Sequence, residues 1–102
     1  MGDAAAVAEY IESELAQAAD PGRAEKERAY LKSDLVFLGV GVPATRQVVR
    51  TAWRRRGGLD HEQLMATVER LWASGIHEHR MAVVELLKLA TPGTLTIDDE
   101  LG

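Results

Sequence analysis

The sequence predicts an all-α fold, and three features indicate it. Hydrophobic residues make up 46% of the 102 residues but aromatic residues only 5%, and alanine, leucine and valine dominate the apolar set, a mixture that we take to favour helices. Apolar residues recur at three- and four-residue spacing in several stretches, as on one face of a helix. Helix start and stop signals separate these stretches. We therefore predict five helices.

The first two helices follow from apolar spacing and from one turn signal. We predict the first over Ala4 to Ala19, ended by Asp20-Pro21-Gly22, because proline cannot continue a helix. Its apolar face comprises Val7, Tyr10, Ile11, Leu15 and Ala18. The second, over Arg23 to Asp34, alternates acidic and basic residues and is typical of a solvated surface.

Residues 35–43, LVFLGVGVP, could be read alone as a short strand. The run is short and the chain offers no partner strand, and a lone strand would leave its backbone groups unpaired. We interpret it as an apolar connector with Phe37 and Leu38 in the core, where Gly39 and Gly41 permit unusual φ angles. It is not a phosphate loop, because no Lys-Ser/Thr follows the glycines.

The third helix is predicted to open on Pro43, a residue suited to a first helical turn, and to end at Gly57-Gly58. An apolar stripe along it consists of Val48, Val49, Ala52 and Trp53. Three arginines four residues apart lie on a different face, namely Arg46, Arg50 and Arg54. Arg55 and Arg56 add charge at the end where the helix dipole favours cations. These arginines form either a solvated surface or a contact with something negative.

The sequence predicts a fourth and a fifth helix after Gly58. Asp60, with Gln63 three residues on, resembles a capping box and starts the fourth, which Ser74-Gly75 ends. The fifth, His77 to Ala90, is apolar on most sides, so we expect neighbours to bury it on both sides. The two tryptophans fall on apolar stripes and are predicted to lie in the core: Trp53 and Trp72.

After residue 91 the sequence gives another helix start signal, Thr96 with Asp99 three residues later, but stops at Gly102. A helix of so few residues is not stable alone. We therefore expect 1–102 to be a single N-terminal segment of a helical domain, truncated in the turn or helix after 91. The exposed apolar face of the last helix would then favour a homodimer.

Charge is distributed unevenly along the chain, although the net charge is −4. Residues 1–20 carry five acids and no base, residues 91–102 three acids and no base, and the middle 12 bases and 8 acids. Residues 45–58 hold five arginines and no acid. This local field permits nucleic-acid binding. No cysteine is present, which excludes disulfides and thiolate metal sites and is consistent with a cytoplasmic protein.

A search for chemistry in the residues themselves finds no active site. His77 and His79 are two apart, about 200° around a helix, so they cannot share a metal. No serine lies in a nucleophile elbow. No transmembrane stretch is present. We expect no cofactor, no metal and no membrane partner.

The segment from Ala29 to Arg56 resembles the N-terminal signature of AlkD-type DNA alkylation repair glycosylases: roughly, a helix ending in Tyr-Met-Lys, an apolar Phe-Leu-Gly turn, a proline and a basic helix. The matching residues are Tyr30, Leu31, Lys32, Phe37, Leu38, Gly39, Pro43, Arg46, Gln47 and Arg50. The likeness extends more weakly over residues 7–90. It implies a HEAT-like α-solenoid of stacked antiparallel helix pairs that cradles duplex DNA, and a hydrolase that excises N3- or N7-alkylated purines in base excision repair.

The resemblance also implies site residues. DNA contact would fall on Tyr30, Lys32, Arg46, Arg50 and Arg54. Tyr30 could instead be a half-buried packing residue. The family's catalytic carboxylate lies in a Trp-Trp-Asp-like stretch of later helices. No tryptophan follows Trp72, so we assign no catalytic residue in this chain and expect it to be inactive alone. The alternative is a non-catalytic helical-repeat module that binds protein or DNA.

Overall fold

The structure, a computed structural model, describes residues 3–90 and confirms the all-α prediction. Five helices occupy this range: α1 (Asp3–Gln17), α2 (Pro21–Leu31), α3 (Val42–Arg56), α4 (His61–Ala73) and α5 (His77–Ala90). No strand forms within residues 3–90, as predicted for the connector. The connector does pair with the turn before α5 at one point, where Val36 and Ile76 form a parallel bridge.

Local capping explains where α2 begins and ends. The Asp20 side chain accepts a hydrogen bond from the Arg23 backbone N–H at 3.2 Å, and Pro21 occupies the first turn. The turn that ends α1 thus also starts α2, two residues before the predicted Arg23. Lys32 has a left-handed φ of 51° and ends the helix, so Asp34 lies outside it.

The remaining helix boundaries follow the predicted signals closely. Pro43 lies in the first turn of α3, and Gly57, with a left-handed φ of 68°, follows its last residue. The capping box of α4 is present: Gln63 N–H donates to Asp60 Oδ1 at 2.8 Å, and Asp60 N–H donates to Gln63 Oε1 at 3.1 Å.

Four of the helices form two antiparallel pairs. The start of α1 meets the end of α3, where Val7 and Ala52 line one cavity. The end of α4 meets the start of α5, where Trp72 contacts Arg80. The pairs stack so that α1 lies beside α4 and α3 beside α5. We call these the α1/α4 layer and the α3/α5 layer. The arrangement is consistent with a helical-repeat solenoid.

The core lies between the two layers. Its buried apolar residues come from four helices and the connector, and they are Val7, Ala8, Ile11, Leu15, Val40, Val49, Ala52, Leu64, Leu71, Ala82, Val83 and Leu86. Phe37 is buried, as predicted, and Leu38 is half-buried against the core. Trp53 also packs against the core.

The helix α2 lies outside the pairs and has no fully buried residue. The connector holds it in place, since Asp20 N–H donates to the Leu38 carbonyl at 2.8 Å. Gly39, with φ of 79°, passes so close that a Cβ there would lie 2.2 Å from the Asp20 carbonyl oxygen. Only glycine therefore permits this approach of the connector to α2.

One burial prediction was wrong. Trp72 is 47% exposed, because its ring lies at the edge of the α4–α5 contact, where the Arg80 guanidinium covers it at 4.6 Å from the centroid. The described neighbours of α5 cover only one of its faces and leave Val84 48% and Leu87 38% exposed, in agreement with the apolar face that we expected the last helix to expose.

The helix start at Thr96 lies outside the described residues. Self-association through the exposed face of α5 stays a prediction. Sedimentation velocity over a range of concentrations would test it, and a monomer at the highest concentration would contradict it.

Candidate nucleic-acid interface

A buried carboxylate fixes the connector that leads into α3. Glu78, in the first turn of α5, is 1% exposed. Its Oε1 accepts the Leu38 N–H at 2.9 Å, and its Oε2 accepts those of Gly39 at 2.9 Å and Val40 at 3.2 Å. Charge-assisted bonds of this kind are stronger than neutral ones. Glu78 thereby holds the start of α3 in place relative to α5.

Sequence reasoning missed Glu78. The only local signal was an acid at the start of an otherwise apolar helix, and its partners lie 38 to 40 residues away. No short-range spacing rule connects positions so distant in sequence.

The helix α3 separates a buried face from a basic one, as predicted. Thr45, Val49 and Ala52 are buried, whereas Arg50 and Arg54 are exposed. Within residues 3–90, neither of these two arginine side chains makes a hydrogen bond or an ion pair. Both guanidinium groups therefore present all their donors to solvent.

Arg46 is in a different situation. Its Nε donates to Glu85 Oε1 at 3.2 Å, and Lys88 Nζ lies 3.5 Å from Glu85 Oε2. The acid-free stretch 45–58 gave no indication of this pair, because α5 supplies the carboxylate. Arg46 is thus a partly exposed, ion-paired cation in a contact between α3 and α5.

The two remaining arginines of α3 lie near α1. The Arg55 guanidinium covers the Tyr10 ring at 4.8 Å from its centroid. Arg55 and Arg56 line, with Tyr10, an open cavity of about 270 Å³. Part of the predicted positive charge at this end is therefore used in packing α3 against α1, through a cation–π contact.

The two predicted DNA-contact residues at the end of α2, Tyr30 and Lys32, lie in different surroundings. Tyr30 is 85% exposed and lines an open groove of about 350 Å³ with Val42 and Met81, at the start of α3 and in α5. The alternative of a half-buried packing tyrosine was therefore wrong. Lys32 is exposed and does not line this groove. Tyr30 thus lies beside the first residues of α3, whereas Lys32 lines a different open cavity together with residues of α2 and the turn after it.

Two of the three histidines take structural positions. His77 stacks on Phe37 with ring centroids 4.5 Å apart. His79 is buried, its Nδ1 has no hydrogen-bond partner within residues 3–90, and burial lowers its pKa below the ordinary value. No group of three His, Cys, Asp or Glu residues in that range is arranged to hold a metal ion. None of the described helices is long and apolar enough to cross a membrane.

Comparison with known proteins gives one match. A family model described as "DNA alkylation repair enzyme" matches residues 11–98. No curated protein and no solved structure matches the chain. The family match runs from the middle of α1 through α5, and it includes the arginine row, the connector and Glu78. The chain belongs to the DNA alkylation repair enzyme family.

Proposed function

We propose that this chain supplies part of the DNA-binding surface of a DNA glycosylase that excises N3- or N7-alkylated purines. Membership of the family supports a role in alkylation repair with DNA as partner. The observation that carries the proposal is the pair of exposed arginines on α3, Arg50 and Arg54, which make no hydrogen bond or ion pair within residues 3–90.

These arginines suit a sequence-independent contact with the DNA backbone. Residues four apart on a helix lie about 6 Å apart along its axis, so two guanidinium groups can reach along one strand. Guanidinium binds phosphate through paired N–H donors and releases counterions. Phosphate contacts position a protein on DNA without reading bases. An enzyme that meets damage in any sequence requires this kind of binding.

The excision chemistry needs little acid help, because an alkylated purine is already cationic and leaves readily. It does need stabilisation of the positive charge that develops on the deoxyribose, for which the family resemblance implies a carboxylate. We assign that role to no residue of this chain. On this proposal the chain binds DNA but releases no base, and a glycosylase assay on N-methylated duplex would contradict it by detecting release.

The binding test is a fluorescence anisotropy titration of duplex DNA at several salt concentrations. Each phosphate contact contributes about 0.9 to the slope of log K against log salt, so the double variant Arg50→Ala/Arg54→Ala should lower the slope by about 1.8. Arg70→Gln, on the α1/α4 layer, is the matched control, since Arg70 already pairs with Glu12. A double variant that binds like the unmodified chain would overturn the proposal.

A non-catalytic binding module is the second candidate. The observation that favours it is the apolar groove beside α2, where Tyr30 is 85% and Leu31 49% exposed. Such a groove can bind an apolar surface of another protein. Base release by the complete natural gene product would support the glycosylase, and DNA binding without release would support the module.

A further inference from the structure

We infer that the DNA contact crosses from α3 onto α5, with Arg46 and Lys88 as phosphate-binding residues and Glu85 as the residue that positions them. This inference rests on the proposed function. It adds two residues of α5 to the surface, neither of which sequence reasoning selected.

The geometry places one carboxylate between two cations. Glu85 Oε1 lies 3.2 Å from Arg46 Nε and Glu85 Oε2 lies 3.5 Å from Lys88 Nζ, so each oxygen serves one cation. The Glu85 side chain is only 13% exposed, whereas those of Arg46 and Lys88 are 41% and 50% exposed. The acid therefore lies beneath the two cations, which face solvent.

The hydrogen bond to Glu85 uses only part of the Arg46 guanidinium. It engages Nε, and within residues 3–90 the two Nη groups have no partner. The Nη1/Nη2 edge is one of the donor pairs that match a phosphate bidentately. Because Glu85 already orders this side chain, phosphate binding should cost less rotamer entropy than binding by an unrestrained arginine.

The two helices run in the same direction along this contact. Val42, at the start of α3, shares a groove with His77 and Met81, and Arg46 one turn later meets Glu85. One further turn brings Arg50 on α3 and Lys88 on α5. Arg46, Glu85 and Lys88 thus line the seam between the helices, and Arg50 follows Arg46 on the same face of α3, so the four residues together carry two net positive charges that the backbone of duplex DNA could neutralise.

A positioning carboxylate and a merely repulsive one predict opposite results. If Glu85 only repelled phosphate, its removal would strengthen DNA binding. If it positions Arg46 and Lys88, its removal releases both side chains and weakens binding. Glu85→Gln keeps an oxygen that can accept from Arg46 Nε and removes the charge, so it should retain binding.

The experiment uses the full chain, duplex DNA and anisotropy titrations across salt. Arg46→Ala and Lys88→Ala should each lower the salt slope by about 0.9. Glu85→Ala should weaken binding by about threefold or more relative to Glu69→Ala, which removes one acid from an exposed position of α4 and so controls for the change in net charge. Glu85→Gln should bind at least as tightly as the unmodified chain. Circular dichroism would check that each variant is folded. In NMR spectra, the Arg46 Nε–H proton should exchange with solvent faster in Glu85→Ala than in the unmodified chain, because it loses its hydrogen-bond acceptor.

Two outcomes would overturn the inference: a Glu85→Ala chain that binds as tightly as Glu69→Ala, or unchanged salt slopes for Arg46→Ala and Lys88→Ala. Failure here is separable from failure of the proposed function. If the Arg50→Ala/Arg54→Ala double variant loses binding while Arg46 and Lys88 variants do not, only this inference is wrong. If the double variant binds normally, the proposed function is wrong.

Discussion

The two layers of the molecule have the same architecture and use arginine in different ways. In the α1/α4 layer, Arg70 donates from Nε and Nη2 to both oxygens of Glu12, at 3.0 and 2.9 Å, and lies 3.9 Å from Glu9. The hydrogen bond and the charge of Glu12 raise the pKa of Arg70. In the α3/α5 layer, Arg46 makes one bond to Glu85, and Arg50 and Arg54 make none within the described chain.

Exposure does not distinguish the two situations. The side chains of Arg46 and Arg70 are both 41% exposed. What differs is how many of their donors are already used. Arg70 has its Nε/Nη2 edge committed to a carboxylate, whereas Arg46 keeps both Nη groups. The number of N–H donors without a partner, rather than the accessible area, therefore indicates whether a surface arginine can bind a ligand.

The largest expected effect comes from removing the carboxylate that supports the α3/α5 layer. Glu78→Ala leaves the N–H groups of Leu38, Gly39 and Val40 without their acceptor. A buried donor left unsatisfied costs about 1–3 kcal/mol, so with partial access of water we expect a loss of about 3 kcal/mol in the free energy of unfolding. Urea denaturation measures it.

Glu78→Gln is the matched variant, because it keeps one acceptor oxygen in the same place. It should lose less stability than Glu78→Ala. At temperatures where Glu78→Ala remains folded, this alanine variant should also bind DNA more weakly, because the connector before α3 has lost its hydrogen bonds to α5. Equal stability of Glu78→Ala and the unmodified chain would show that the connector does not depend on this carboxylate.

The parts of the fold that sequence predicted are those with local causes. The capping box at Asp60 and Gln63, the proline of α3 and the glycine after Arg56 act within four residues of the backbone they shape. Helical periodicity correctly separated the buried face of α3 from the exposed Arg50 and Arg54. These signals depend on neighbours in the chain, so one sequence suffices to read them.

The parts that sequence missed depend on contacts between distant segments. Glu85 meets Arg46 across 39 positions, and Glu78 meets the connector across 38 to 40. Trp72 looked like a core residue because its stripe is apolar, yet its place at the edge of the helix pair leaves it beside Arg80. Which face of a helix a neighbour covers is set by the packing of the pairs, which periodicity does not specify.

The contact between the two layers should also make the stability of the chain depend on pH, through the buried His79. His79 packs from α5 towards the α1/α4 layer; burial lowers its pKa, while the charges of Glu12 and Glu78 raise it and Arg70 lowers it. The unfolded histidine has a pKa of about 6.5, above the folded value, so protonation favours unfolding. Stability is therefore full above that pH and falls as the pH drops below it, by at most about 1.4 kcal/mol per pH unit.

Urea denaturation at several pH values between 8 and 5 measures this loss. His79→Gln should reduce the pH dependence, and His61→Gln, at an exposed position in the first turn of α4, is the control that should retain it. If His79→Gln kept the same pH dependence of stability, the loss of stability at low pH would have to come from other groups.

The smallest effect is expected from the arginine that the α1/α4 layer has already engaged. Arg70→Gln breaks an exposed ion pair with Glu12, and such pairs contribute little to stability, so the melting temperature should fall only slightly. The salt slope of DNA binding should not change, whereas Arg50→Ala alone should lower it by about 0.9. If Arg70→Gln lowers the slope as much as Arg50→Ala does, phosphate contacts both layers and the number of unoccupied donors does not decide which surface binds DNA.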